Sequence, residues 1–234
     1  SVTANIGLIM AVSLLFLPAV IQRKQFAFKG ALMVGSVVLL WVLCLDGQLT
    51  IVEAVIVLLL FAAYIIENVH TAKLESRNGT AEAVTVDKSK KTLWKNIGTF
   101  VLGAACLVVG SRLLVDNGTE LAKILGVSER VIAVTMVAIG TSLPELVTAI
   151  TAIVKKQTSM SVGNILGANI IDVTVILPLC SFIGGKLTIA AESMRQTLYL
   201  DMPVCALETV LAVVPTLIFK KFQKWQGVLM LCVY

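Results

Sequence analysis

Two acidic side chains stand inside apolar stretches where nothing basic pairs with them. Glu145 lies in the run 130–154 and Asp172 in the run 161–184, and neither interior holds a Lys or Arg. An ionisable side chain at the centre of a membrane helix costs about 2.5–3.5 kcal/mol on insertion scales. The nearest bases, Arg130 and Lys155, sit at the ends of the first run, and Arg112 stands near the end of an earlier one. The remaining acidic residues read as loop or helix-end groups, which leaves two interior acids. A cation from solution is the partner that fits them best; a proton or Arg112 is the alternative.

The neighbours of Glu145 are suited to a hard cation. The chain there reads Ala138-Ile139-Gly140-Thr141-Ser142-Leu143-Pro144-Glu145. Pro144 has no N–H, so the carbonyl of Gly140 loses its helical donor and is pushed aside by the ring. Backbone oxygens between Ala138 and Thr141 then need protein, water or an ion. Thr141 and Ser142 precede Glu145 by four and three residues, which places all three on one helix face. A carboxylate, two hydroxyls and loosened carbonyls make an all-oxygen set, suited to sodium or calcium rather than zinc or copper.

The second run carries a polar stripe. In Gly163-Asn164-Ile165-Leu166-Gly167-Ala168-Asn169-Ile170-Ile171-Asp172, residues Asn164, Ala168 and Asp172 recur every four positions. Gly163 and Gly167 form a G-x-x-x-G, which permits close approach of a neighbouring helix.

These residues need long apolar elements to position them, and the composition supplies them. The apolar fraction is 58% and the charged fraction 14%, against roughly 45–50% and 25% for a soluble domain. Eight apolar segments are expected, at 4–21, 30–46, 50–68, 96–115, 130–154, 161–184, 200–219 and 225–234. Most match the ~30 Å hydrocarbon core; the last is short. Alternating the loops puts fourteen Lys and Arg on one side and five on the other, which makes the richer side, with the polar stretch 69–95, cytoplasmic. Those bases sit in short loops between apolar runs, so the +5 charge is no footprint of nucleic acid. Trp94 and Trp225 fall at the expected interfaces. Cys44, Cys106, Cys180, Cys205 and Cys232 all lie in apolar segments and read as small buried hydrophobes. His70 is the single histidine, so a histidine-based metal site or catalytic pair is excluded, and no nucleophile–base pair marks an enzyme. Nothing calls for a cofactor or an obligate protein partner.

Gly-Thr-Ser-Leu-Pro-Glu followed by Gly-Asn-x-x-Gly-x-Asn-x-x-Asp resembles the second alpha repeat of the cation/calcium exchanger superfamily, above all its prokaryotic sodium/calcium antiporter branch. The resemblance is strongest from Val127 to Ile183. It implies an all-α polytopic membrane bundle of ten helices in two five-helix halves of inverted topology, exchanging sodium for calcium by alternating access in a prokaryotic plasma membrane. It also implies a ligand set: Glu145 as a shared carboxylate, Thr141 and Ser142 beside it, the Ala138 carbonyl, and Asp172 as the second acidic position. Ala168 stands where the family usually has serine, which removes one hydroxyl. Ser1-Val2-Thr3-Ala4-Asn5 resembles the end of the first repeat motif, with Ser1 at the serine position and Asn5 matching Asp172 at an offset of 167 residues.

On that alignment the chain holds eight of ten transmembrane segments. Residues 1–68 are the remainder of the first repeat, 69–95 the cytoplasmic loop and 96–234 the second repeat. Two helices and the first acidic motif are expected upstream of Ser1, and the last helix is expected to run further. Proton/calcium exchange and a potassium-dependent variant use similar oxygens, and a channel or a non-transporting fragment is the reading from another class.

Overall fold

A computed structural model describes residues 1–16, 23–77, 89–155 and 158–234. Its helices follow the eight apolar segments: α1 (Ala4–Phe16), α2 (Arg23–Leu43), α3 (Ile51–Arg77), α4 (Lys90–Ile124), α5 (Glu129–Val154), α6 (158–184), α7 (Ala191–Phe219) and α8 (Lys224–Val233). The end of the first expected segment, 17–21, lies outside the described residues. Among the described residues five helices are long and apolar enough to cross a membrane. Several outrun their apolar cores. Helix α4 has 35 residues, about 52 Å at 1.5 Å per residue, and α7 begins nine residues before the expected 200. Glu192, Arg195 and Gln196 made that start read as loop. A helix has no need to stop where the hydrocarbon stops, so hydropathy underestimates it.

The described chain packs as two compact units, one of residues 1–71 and 145–234, the other of residues 72–144. In the first, Ile6, Met10, Leu14, Met33, Ile165, Ile170, Phe222 and Met230 form one buried cluster. A second gathers Val37, Leu40, Cys44, Leu49, Ala54, Val173 and Leu198. At one end a short antiparallel ribbon joins β1 (Gln48–Thr50) to β2 (Lys186–Thr188), with Leu49 opposite Leu187. Gly185 ends α6 at φ 74, a left-handed turn that glycine enters without strain. At the other end Phe26 meets Phe222 edge-on at 5.4 Å. The loops after α2 and α6 therefore share one end of the unit.

Helices α1 and α8 cross closely. A Cβ on Gly227 would stand 2.7 Å from the carbonyl oxygen of Ala11. Because that obstacle is backbone, it cannot rotate away. Gly227→Val is therefore expected to lower stability by about 1–3 kcal/mol, read as a fall in the thermal unfolding midpoint of the detergent-purified protein. An unchanged midpoint would show that the helices part freely.

In the second unit α4 runs beside the first half of α5. Met136 Sδ would lie 3.2 Å from a Cβ on Gly118, and Val115 Cγ2 would lie 2.5 Å from one on Gly140. Gly140 thus admits a neighbouring side chain besides tolerating the proline that follows. No side chain of α4 is buried.

Candidate cation site

Helices α1 and α6 meet through polar groups in an apolar surrounding. Ser1 Oγ donates to Asp172 Oδ2 at 2.7 Å, and Asn5 Nδ2 donates to Asn169 Oδ1 at 2.9 Å. Asn5 and Asn169 are both fully buried. The contacts run in opposite chain directions, as in an antiparallel crossing. One bond cannot satisfy two amides, so Asn5 Oδ1 and Asn169 Nδ2 are left without partners. Turning both amides over would still leave one oxygen and one N–H. Unpaired groups of this kind cost about 1–3 kcal/mol each, and they persist where something else satisfies them.

Both helices are wound as π-helix at this place, α1 over Ala4–Met10 and α6 over Asp172–Ile176. A π turn inserts an extra residue and misaligns its carbonyls, a feature concentrated at functional sites. Shifting Ala4–Met10 by 167 positions brings it to 171–177, which contains Asp172–Ile176.

Glu145 enters from α5. Its carboxylate is half-buried, Oε2 has no partner, and Asp172 lies within electrostatic reach. A relay of neutral groups fixes this turn: Thr148 Oγ1 donates to the Glu145 carbonyl at 2.9 Å, and Asn164 Nδ2 donates to Thr148 Oγ1 at 2.8 Å. Asn164 thus ties α5 to α6. Earlier in α5, Thr141 Oγ1 donates to the Ala138 carbonyl at 3.2 Å, and Ser142 Oγ is buried without a partner. Helix α5 continues unbroken through Pro144.

The structure brings together Ser1, Asn5 and Asp172, with Glu145 within charge reach of Asp172. Ala138, Thr141 and Ser142 belong to the other compact unit, in the first half of α5. Among the described residues no group of three or more His, Cys, Asp or Glu could hold a metal. Any cation here relies mainly on neutral oxygens.

Four readings of the sequence need correction. A further interior acid stands among the described residues: Glu208 lies inside α7, is fully buried, and has no partner on either oxygen. Its place within the apolar run 200–219 was the available signal. Asn169 was read only as part of a motif, yet it makes the contact to Asn5. The cysteines are not uniformly buried; Cys44 is, whereas Cys106, Cys180 and Cys232 face outward, since lipid-facing positions tolerate small apolar groups as well as a core does. Of the two glycines in G-x-x-x-G, Gly167 lies against Tyr64 Oη, whereas Gly163 has no described neighbour within 4 Å.

Apolar helices of spanning length that bring Glu145, Asp172 and the unpartnered Asn5 Oδ1 to the crossing of α1 and α6 fit a membrane carrier of cations. The sodium/calcium exchanger protein model matches residues 1–68 and 95–234, and the chain belongs to that family. It is a family of transporters rather than enzymes, and it makes the chain a membrane sodium/calcium antiporter. The chain is 28% identical over its whole length to an uncharacterized membrane protein of Methanocaldococcus jannaschii, covering 72% of it. It is 32% identical to the sodium/calcium exchanger MaX1 of Methanosarcina acetivorans over 60% of the chain and 39% of that protein. In structure it superposes on the sodium-calcium exchanger NCX_Mj with a TM-score of 0.76 at 26% identity, over 100% of the chain and 71% of that one.

Proposed function

We propose that this chain forms the ion-binding core of sodium/calcium exchange by alternating access, with Glu145 and Asp172 as charged ligands. Ser1 and Asn5 supply neutral oxygens, and the motif stretch 138–145 adds Thr141, Ser142 and the Ala138 carbonyl on the strength of the sequence alone. The observation that carries the reading is the crossing of α1 and α6, where Ser1 meets Asp172 and Asn5 is left with a buried, unpartnered oxygen. Glu145 Oε2 is unpartnered too.

Two carboxylates can be matched by one divalent or two monovalent cations. An empty site would carry unpaired charge through a low dielectric at a cost of several kcal/mol. Crossing empty is thereby disfavoured, and the ions are coupled. Ala168 offers no hydroxyl where the family usually has serine, so one sodium position has one oxygen fewer. The matching π segments support the division into inverted repeats, 1–68 and 96–234; in the connecting stretch 69–95, expected as loop, α3 runs on to Arg77 and α4 starts at Lys90. Calcium binding to the purified protein, measured by calorimetry and competed by sodium, tests the site directly. Competition by protons or potassium and not by sodium would transfer the coupling to those ions.

The site lies in a prokaryotic plasma membrane with residues 69–95 on the cytoplasmic side, as the excess of Lys and Arg on that side supports. Protease added to inverted vesicles is expected to cut between 73 and 90, and protease added to intact cells is not. Cleavage only from outside would reverse the topology.

A further inference from the structure

Glu208 is the one fully buried acidic residue among those described, and the exchange site does not use it. Both its oxygens lack partners. It projects from α7 onto the π-wound part of α1, where a Cβ on Gly7 would overlap Glu208 Oε1 and lie 2.7 Å from Tyr234 Cβ of α8. The absence of a side chain at Gly7 makes the seat in which the carboxyl rests.

No described group around it compensates a negative charge. Residues 4–16 of α1 include no acid or base. On α7 the titratable neighbours are Cys205, within electrostatic reach, and Asp201, two turns earlier. Helix α8 offers Lys224 at its far end, and Tyr234, which caps it, lies beside Gly7. Lys29 is the charged residue on the described side-chain part of α2, which packs on α7; it forms no ion pair with Glu208. A neutral carboxyl sits in this seat without an unpaired charge, whereas a carboxylate in the same place is isolated in a low dielectric. Ionisation therefore favours any arrangement in which α1 moves off α7 and water reaches the carboxylate.

We propose that Glu208 is a proton-binding site that holds α1 in its seat against α7, its proton passing to water when α1 moves. Gly7 is two residues from Asn5 on the same π segment, so movement of α1 displaces Asn5 of the cation site. The link to exchange rests on the function proposed above; the proton site itself does not.

Two measurements on the full protein test this. The first is an infrared pH titration in detergent. A protonated-carboxyl band that titrates in the wild type is expected to be missing from Glu208→Gln and retained in Glu145→Gln. The second is sodium-driven calcium flux against pH. Wild-type flux is expected to rise with pH by at most about tenfold per unit, the limit for one proton. Glu208→Gln, a mimic of the neutral carboxyl, should stay slow at every pH. Gly7→Ala, which spoils the seat and keeps the acid, should flatten the profile at a fast rate. It also decides the case if Glu208→Gln fails to fold. An unchanged band in Glu208→Gln, or a wild-type pH profile in either variant, would overturn the proposal. A titrating Glu208 band without any sodium-driven flux would overturn the exchange reading and leave the proton site standing.

Discussion

Glu145→Gln is expected to abolish sodium-driven calcium uptake. The substitution keeps the shape of the side chain and removes one negative charge and one ligand oxygen. Glu145 Oε2 is buried without a protein partner, so the change breaks no internal bond of that oxygen. Stability should hold or rise, because an uncompensated buried charge is removed. The loss of a charged ligand weakens binding by a few kcal/mol, or about 100-fold or more. Calcium uptake into sodium-loaded proteoliposomes is the measurement, with a thermal melt confirming the fold. Uptake at the wild-type rate would remove Glu145 from the site.

A second large effect is expected at Asn5, and a double-mutant cycle separates its two roles. Asn5→Leu takes the partner from the buried Asn169 Oδ1 beside an amide N–H that already lacks one, and the newly orphaned oxygen costs about 1–3 kcal/mol. Asn5→Leu with Asn169→Leu replaces the pair by apolar groups of similar size, so most of the stability should return. Exchange should not return, because the oxygen that Asn5 leaves free in the wild type is gone from both variants. Thermal midpoint and calcium flux, read on the same three preparations, check this. Recovery of flux together with stability would make Asn5 a packing residue only.

Much of this architecture was legible because a membrane allows few solutions. Apolar runs must be helices, and each of the eight coincides with a helix, though described ends differ by as many as nine residues. The ends were not legible: α4 and α7 continue through Lys90–Trp94 and Glu192–Gln196, where polar residues look like loop but still form helical turns. The acids of the site stood out as charges without partners. Glu208 met the same test in 200–219, and only its contact with Gly7, more than 200 residues away in sequence, shows how completely it is enclosed. Asn169 was visible as a motif residue, yet its pairing with Asn5 across 164 positions depends on the crossing of two helices. The π winding of α1 and α6 has no signature in residue type, because Ala-Asn-Ile-Gly-Leu-Ile-Met would serve an ordinary α-helix equally well.

The most direct test of the central claim is calcium uptake into proteoliposomes with the internal cation varied one at a time. Sodium inside is expected to drive saturable uptake, with choline inside giving none, an imposed pH gradient failing to replace sodium, and Glu145→Gln lacking the sodium-driven component. Calcium entry that needs no counter-ion, or that persists in Glu145→Gln, would contradict exchange at this site.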